Sequence, residues 1–315
     1  MPGGEEVFRP RIVFAGTGAF AVPALRALVK REWVVGVITQ PDRPAGRGLR
    51  LRPPPVKVVA AELGLEVFQP GSINRPESLQ YLRALAPDLL VVAAFGQLLK
   101  KTVLELPKRG CINIHASLLP KYRGAAPIQW AIIRGERWSG VTTFLLDEGM
   151  DTGPILLQRA VRVGENETAG ELEERLARLG AELIVETVEG YLRGEIRPKP
   201  QPKEGTLAPK IREEDTRIPW SKTARQIHNL VRGLSPTPGA YTTFRGKRIK
   251  VYRTRPSGGE GGAEPGTILG ARKKLLVATS EGVLEILVLK PEGKREMRGV
   301  DFLNGYRPSP GERFV

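Results

Sequence analysis

Asn113 and His115 stand two positions apart in this sequence, just before a turn, and their side chains are suited to chemistry at a carbonyl group. We predict a β-strand here, and side chains two positions apart on a strand project from the same face. An amide donor and an imidazole that converge on one point can stabilise an oxyanion while a proton is moved. The pair therefore predicts an acyl-transfer site.

Cys111 shares this face, so a cysteine nucleophile with a histidine base is an alternative. Four strand steps would separate Cys111 from His115 by ~13 Å, whereas Asn113 would lie only ~7 Å from His115. Because ~13 Å is several times the reach of a hydrogen bond, we interpret Cys111 as a small buried packing residue.

The elements that must position this strand predict an α/β domain. Residues 11–14 and 34–39 are apolar strands on either side of a helix-like segment, which is the start of a βαβ unit. Residues 89–94 are a short, continuous apolar run, typical of a parallel strand buried on both faces. Thr168 and Glu171 form a capping-box pattern that begins a long amphipathic helix running towards residue 192.

The segment 16–21 follows the first strand and has the G-x-G-x-x-A pattern of dinucleotide-binding turns. The second strand, however, ends Ile38-Thr39-Gln40 and lacks the acidic residue that binds the ribose. A strand-to-helix turn that needs glycine for close packing, or that binds another anion, is the favoured interpretation.

A change of composition marks the second half of the chain. Residues 196–209 contain four prolines and hardly any apolar side chains, which is typical of an extended linker. Beyond it, one helix over 223–234 and several short β-like runs predict a small OB-like β-barrel domain. We therefore predict a first domain over 1–195, a linker over 196–209 and a basic domain over 210–315.

The charge of the chain favours a polyanionic partner. The net charge is +15, and residues 210–315 contain 21 lysines and arginines against 11 acidic residues. Such an excess favours nucleic acid as the partner. A single cysteine excludes an internal disulfide framework and a cysteine-based zinc cluster, and two histidines argue against a histidine-rich metal centre. The sequence shows neither an export signal nor an apolar run long enough to cross a membrane, so we expect a cytoplasmic location and no membrane partner.

A loop over 41–55 carries four arginines and five prolines and follows the second predicted strand. Its proline content excludes a buried strand. By composition alone it is a solvated surface loop, but it lies at the carboxyl edge of the sheet, where α/β proteins build their sites.

The run from 113 to 129 resembles the signature of the folate-dependent formyltransferases. The stretches 39–58 and 146–154 also resemble loops of those family members that formylate methionine on initiator tRNA. The resemblance extends from the first strand to Arg313. It implies a Rossmann-like, mostly parallel sheet in a formyltransferase catalytic domain, followed by a tRNA-binding barrel.

The resemblance also implies the site residues. Asn113, His115 and Asp151 take the catalytic positions, although Asp147 and Glu148 are rivals of Asp151 by composition. The cosubstrate 10-formyltetrahydrofolate is expected at the loop formed by Ser117, Leu118, Leu119 and Pro120. No metal and no tightly bound cofactor are implied.

The implied partner is initiator methionyl-tRNA, and we expect a monomer. The tRNA-binding positions are expected on the arginine-rich loop and on the barrel, at Arg43, Arg47, Arg50, Arg245, Lys247 and Arg248. Two other functions stay open: a formyltransferase acting on a small phosphorylated amine such as glycinamide ribonucleotide, and a noncatalytic RNA-binding protein. The first would not need the basic domain, and the second would leave Asn113 and His115 unexplained.

Overall fold

The computed structural model describes residues 9–45, 50–259, 262–271, 273–309 and 311–315. The Cα positions form two compact units that are not continuous in sequence. The first contains the chain up to residue 125, then 140–161 and 173–207, and the second contains 126–139, 162–172 and 208–315. The domain boundaries expected at 195 and 210 stay a prediction.

The first unit is built on a sheet of seven strands. The strands of this part of the chain are β1 (Ile12–Gly16), β2 (Val34–Ile38), β3 (Arg43–Ala45), β4 (Arg50–Arg52), β5 (Val67–Phe68), β6 (Leu89–Ala93), β7 (Cys111–His115), β8 (Trp138–Leu145) and β9 (Ile155–Arg162). The order in the sheet is β5-β2-β1-β6-β7-β8-β9, and β3 and β4 form a separate hairpin.

Parallel pairing dominates this sheet. β1 is parallel to β2 and β6, and β7 is parallel to β6. The pairing of β7 with β8 is antiparallel. Every residue of β1 and β6 is buried, which confirms the strand predicted from the apolar run at 89–94. The carboxyl ends of β1, β2, β6 and β7 therefore share one edge, where α/β proteins hold their ligands.

Helices connect these strands along the chain. They are α1 (Val22–Lys30), α2 (Pro55–Glu62), α3 (Pro76–Leu85), α4 (Lys101–Leu104), α5 (Pro127–Ile133) and α6 (Ala169–Leu192). The predicted capping box is present before α6: Thr168 N donates to Glu171 Oε2 at 2.8 Å, and Glu171 N donates to Thr168 Oγ1 at 3.3 Å. The predicted start and end of this helix are confirmed.

The G-x-G turn after β1 is used for close packing. A Cβ on Gly16 would lie 2.7 Å from the Phe14 ring and 2.9 Å from Ala21 Cβ. The glycine is required because the chain folds back on its own strand here. This contact supports the packing interpretation over dinucleotide binding.

The second unit is an antiparallel sheet with helices. Its remaining elements are α7 (Ala224–Gly233), β10 (Ala240–Phe244), β11 (Lys247–Ser257), β12 (Ile268–Ala271), β13 (Lys274–Ala278), β14 (Val283–Pro291), β15 (Met297–Arg298) and α8 (Gly299–Tyr306). The strand order is β10-β11-β14-β13-β12, with β15 paired to β14. Trp220, Phe244, Phe302 and Phe314 are buried together in its core.

The prediction of a small β-domain is confirmed, but the prediction of a single helix in it is wrong. Helix α5, which comes from an earlier part of the chain, packs in this unit, and α8 adds a further helix. Gly299 is the first residue of α8. It must be glycine, because a Cβ there would lie 2.1 Å from Ile286 O. A short helix that begins at glycine gives little periodic signal, so the sequence did not reveal it.

Candidate active site

Asn113 and His115 lie on β7, between β6 and β8. Asn113 pairs in register with Phe144, and His115 pairs with Thr142. His115 is buried, whereas Asn113 is partly exposed. Within the described parts of the chain, no group is hydrogen-bonded to the Asn113 amide. Asn113 therefore offers unused amide hydrogens on the face that it shares with a buried imidazole.

Both ring nitrogens of His115 face oxygen atoms. Nε2 lies 2.8 Å from the backbone oxygen of Tyr122, so this nitrogen carries a hydrogen and donates it. Nδ1 lies 3.6 Å from Oδ2 of Asp151, which is within reach of an ion pair with a protonated ring but too long for a hydrogen bond. The Phe144 ring meets the imidazole edge-on, with 6.4 Å between centroids. These contacts fix the orientation of the imidazole beside a carboxylate.

Asp151 is the acidic residue of its loop that lies beside His115. Its Oδ2 accepts a hydrogen bond of 2.8 Å from the backbone N–H of Gly124, and its φ of +55° is left-handed. Asp147 instead accepts hydrogen bonds within its own loop, and Glu148 is exposed. The structure thus brings Asp151 to His115, a choice that spacing alone could not make.

Hydrogen bonds from neighbouring strands hold the loop over 117–120. Thr142 Oγ1 donates to Ser117 O at 2.6 Å and accepts from Leu119 N at 3.1 Å. Gln158 Nε2 donates to Leu119 O at 2.8 Å. The loop therefore has a defined backbone because its buried polar groups are paired.

The four loop residues differ in what they can offer a ligand. Ser117 and Leu119 are buried, and Ser117 Oγ donates to Lys121 O at 2.6 Å. Leu118 and Pro120 are partly exposed, and the Leu119–Pro120 peptide bond is cis. A flat ligand at this loop would thus meet apolar side chains and backbone groups rather than the Ser117 hydroxyl.

The sequence did not single out Arg123 and Gln201, which are connected to the site through the backbone of Asp151. Arg123 is buried, and its Nη2 donates to Gln201 Oε1 at 2.9 Å. Gln201 Nε2 in turn donates to the backbone oxygen of Asp151 at 2.9 Å. Arginine is ordinarily exposed, so the only signal in the sequence was that Arg123 falls within the run 113–129.

Cys111 takes no part in this arrangement. Its side chain is buried in an apolar cluster, and Sγ contacts Leu104 O at 3.7 Å. Burial raises the pKa of the Cys111 thiol to about 12, so the nucleophilic thiolate is absent at neutral pH. The structure agrees with the packing role.

Comparison with known proteins finds two family profiles that match this chain. The formyl transferase family profile matches residues 10–188, and the profile of the formyl transferase C-terminal domain matches residues 210–307. The methionyl-tRNA formyltransferase of Thermodesulfovibrio yellowstonii is 48% identical over 301 residues, covering 95% of this chain and 97% of that protein. That of Citrifermentans bemidjiense is 50% identical over 304 residues, covering 96% of this chain and 95% of that protein. The chain belongs to the formyltransferase family.

Solved structures share the fold of this formyltransferase at lower identity. HypX from Aquifex aeolicus, in complex with tetrahydrofolic acid, superposes with a TM-score of 0.67 at 20% identity, over 97% of this chain and 49% of that chain. WlaRD, a sugar 3N-formyl transferase solved with dTDP and 5-N-formyl-THF, gives a TM-score of 0.67 at 19% identity, over 91% and 100% of the two chains. The predicted family and fold class are both confirmed.

The arginine-rich loop of this formyltransferase contains the β3–β4 hairpin. Arg43 pairs in register with Arg52, and Ala45 pairs with Arg50. Arg43 also donates to Gln40 Oε1. Arg47, another of the expected tRNA-binding positions, lies outside the described residues, and of Arg50 only the backbone is described.

An ion pair and a small cavity lie at the base of this loop. Asp42 accepts hydrogen bonds of 2.8 Å from Gln69 Nε2 and from Lys57 Nζ, which lower its pKa in that order. Arg43 and Arg52 line a cavity of about 240 Å³ whose other walls are Thr17, Gln40, Pro41, Pro53 and Pro54. Lys57 compensates Asp42, so the loop arginines keep their excess of positive charge.

The expected tRNA-binding positions of the second unit differ in their partners. Arg245 makes a bidentate ion pair with Glu312, with distances of 2.8 and 2.7 Å. Arg248 pairs with Glu213 at 2.7 Å and lies 3.6 Å from the centroid of the Tyr241 ring. Lys247 is exposed and has no ion pair within the described residues. Of the three, Lys247 offers the most available charge.

No helix in the described part of the chain is long and apolar enough to cross a membrane. Within the same residues, no three side chains of histidine, cysteine, aspartate or glutamate come close enough to hold a metal ion.

Proposed function

We propose that this formyltransferase moves the formyl group of 10-formyltetrahydrofolate to the α-amine of methionine esterified to initiator tRNA. The product is N-formylmethionyl-tRNA for translation initiation. Relatives named methionyl-tRNA formyltransferase match nearly the whole chain, including the basic last third. A formyltransferase for a small phosphorylated amine would not need that last third, and an RNA-binding protein would not need the site on β7.

One observation supports the catalytic roles above the others. The free amide of Asn113 shares a strand face with a buried His115 that lies beside Asp151. In the reaction, the amine nitrogen attacks the formyl carbon, a C–N bond forms, and the carbonyl oxygen becomes an oxyanion. The bond to N10 of the folate then breaks as a proton passes from the amine to N10, so no covalent enzyme intermediate is needed.

Each of the three side chains has a distinct task in this proposal. Asn113 donates to the oxyanion, because its amide is available for such a bond. His115 places a proton and positive charge beside the oxyanion and assists the transfer from the amine. Asp151 orients the imidazole and stabilises its protonated form.

We place the folate at the loop of Ser117, Leu118, Leu119 and Pro120. The partly exposed Leu118 and Pro120 suit one face of a flat ring, and paired backbone groups keep the loop in position. Proteins of the same fold have been solved with tetrahydrofolate or a formylated folate, which supports a folate cosubstrate.

We place the acceptor tRNA against the arginine-rich loop and the second unit. Arg43, Arg47 and Arg50 would contact the acceptor stem, with phosphate contacts for position and base edges for selection. Lys247 would add an unpaired charge, whereas Arg245 and Arg248 would first have to exchange their glutamate partners. Affinity should then fall steeply as salt rises, since phosphate contacts release counterions.

We also propose that the protein works as a monomer in the cytoplasm. Sedimentation with and without tRNA tests the first statement, and fractionation of the source cells tests the second.

The deciding experiment measures formyl transfer from 10-formyltetrahydrofolate to methionine charged on initiator tRNA, with charged elongator tRNA as the control. Asn113→Ala and His115→Ala should each lower turnover by ~10²-fold or more, with melting temperatures close to that of the parent protein. Near-normal turnover in either variant would refute its catalytic role. Formylation of glycinamide ribonucleotide but of neither tRNA would favour the small-amine enzyme, and RNA binding without folate binding would favour the noncatalytic alternative.

A further inference from the structure

The predicted linker is extended, but its residues 199–207 are bonded to the first unit. We call these residues the bracing segment. Lys199 and Ile155 exchange two backbone hydrogen bonds, of 2.7 and 2.8 Å. Thr206 N donates to Pro120 O at 3.2 Å, and Arg123 N donates to Thr206 O at 2.8 Å. The segment thus joins both the loop that carries Asp151 and the loop that follows β7.

Gln201 is the centre of the first connection. Its Nε2 donates to the backbone oxygens of Asp151 at 2.9 Å and Gly153 at 2.7 Å. Its Oε1 accepts from Nη2 of Arg123 at 2.9 Å. Two carbonyl oxygens on one side and a guanidinium on the other permit only this orientation of the amide.

Arg123 holds the amide oxygen of Gln201. The guanidinium is buried, and it also donates to Pro202 O at 2.9 Å and Lys203 O at 3.3 Å. A buried guanidinium must pair its donors, and here it does so with the backbone of the bracing segment. Arg123 therefore holds the segment in a single position.

The second connection reaches the other side of the imidazole. The backbone oxygen of Tyr122 accepts from His115 Nε2 at 2.8 Å. Tyr122 N donates to Thr206 Oγ1 at 2.8 Å. Both neighbours of the imidazole, the Tyr122 carbonyl and the Asp151 carboxylate, are thus attached to the same nine-residue stretch, 199–207.

We propose that Gln201 and Arg123 are positioning residues that set the distance between Asp151 and His115, and that they do so through the backbone of the bracing segment. Neither side chain touches the reacting atoms. The inference rests on the proposed roles of His115 and Asp151. It goes beyond them because it assigns a function in the reaction to a stretch that composition describes only as a linker.

Gln201→Glu separates positioning from simple packing. The glutamate keeps an oxygen that accepts from Arg123, and its charge strengthens that pair. Its second oxygen replaces the Nε2 donor, so it faces the carbonyl oxygens of Asp151 and Gly153 with no hydrogen to donate. We expect kcat to fall by tenfold to a hundredfold, since displacements near 1 Å cost up to ~10²-fold, while KM for the folate stays within about twofold. Glu204→Gln is the matched control, because this exposed neighbour makes no bond within the described residues.

Imidazole NMR gives a readout that a merely structural role would not change. The chain has two histidines, so the ring nitrogen resonances of His115 are assigned by comparison with a His228→Gln sample. In Gln201→Glu the His115 nitrogens should shift and those of His228 should stay. If Gln201→Glu does not fold, the same spectra of Gln201→Met, which removes the amide without adding charge, decide the question.

The outcomes separate this inference from the proposed function. Loss of turnover in His115→Ala together with unchanged kcat and unchanged His115 resonances in both Gln201 variants would overturn the positioning role alone. Normal turnover in His115→Ala would overturn the catalytic assignment on which it rests. A fall in kcat with shifted His115 resonances, absent from Glu204→Gln, would establish the positioning role.

Discussion

Replacing Thr142 by valine tests how the folate loop is held. Thr142 is completely buried on β8, and its hydroxyl is fully used. It donates to Ser117 O at 2.6 Å and accepts from Leu119 N at 3.1 Å and Gln158 Nε2 at 2.9 Å. Valine replaces the hydroxyl by a methyl group on the same β-branched side chain, so Thr142→Val removes these three bonds with little change of shape.

The expected cost follows from what each partner loses. The Leu119 N–H becomes a buried donor without an acceptor, which costs about 1–3 kcal/mol, and the lost bond to Ser117 O adds about 1 kcal/mol. Gln158 keeps its second acceptor, Leu119 O, so it adds little. Thr142→Val should therefore destabilise the protein by roughly 2–4 kcal/mol. Thr142→Ser keeps the hydroxyl and loses one methyl group, which costs about 1 kcal/mol.

Urea unfolding of the parent and both variants measures this difference as a change in midpoint at constant slope. Equilibrium binding of tetrahydrofolate provides the functional arm, where Thr142→Val should bind at least about tenfold more weakly than Thr142→Ser, which is 1.4 kcal/mol. Equal midpoints for the two variants would refute the hydrogen-bond argument. Equal folate affinities with unequal midpoints would mean that the loop is held as described but does not bind the folate.

Three further predictions concern other parts of the molecule. Gly153→Ala should lower kcat by ~10²-fold in the formyl-transfer assay, because the added Cβ would lie 1.8 Å from Leu145 O and must displace the loop of the proposed catalytic aspartate; an activity within twofold of the parent would contradict this. Cys111→Ala should keep normal turnover and lose about 1–2 kcal/mol in urea unfolding, because the thiol acts only by packing; a tenfold loss of turnover would restore the nucleophile hypothesis. Glu171 has its pKa lowered from 4.5 to about 2, chiefly by the backbone N–H of Thr168, so its ionised form stabilises the fold above pH 4.5 and this contribution is lost as the pH falls to about 2. As the pH is lowered from 4.5 to about 2, the melting temperature of Glu171→Gln should therefore fall less than that of the parent. Parallel plots of melting temperature against pH would contradict the lowered pKa of Glu171.

Local patterns in the sequence were sufficient to predict several elements. The apolar run at 89–94 predicted a strand because a parallel strand buried on both faces excludes polar side chains. Thr168 and Glu171 predicted the start of α6 because a capping box is complete within four residues. Alternation along β7 was enough to place Asn113 and His115 on one face, since side-chain direction on a strand depends only on parity.

Contacts between distant positions were beyond the sequence. Asp151 could be chosen over its acidic neighbours only by resemblance, because a left-handed backbone at a non-glycine residue has no signature in composition. Arg123 and Gln201 are 78 positions apart, and a proline-rich stretch gives no indication of the groups that its backbone will bond. Two arginines expected on the barrel surface, Arg245 and Arg248, pair with glutamates that lie 67 and 35 positions away in the chain.

Because the second unit is discontinuous in sequence, the gene cannot be cut or recombined at the apparent linker without separating parts of that unit. Ile133 of α5 packs against the hydrophobic core of that unit, and Trp130 Nε1 donates to Pro209 O at 2.7 Å. Gly233 on α7 lets the two helices meet, since a Cβ there would lie 2.7 Å from Ile133. A gene cut at codon 209 would thus leave α5 in the amino-terminal fragment, without the core against which Ile133 packs. Recombination at the apparent linker would fail for the same reason, whereas exchanging α5 together with residues 208–315 would preserve this packing.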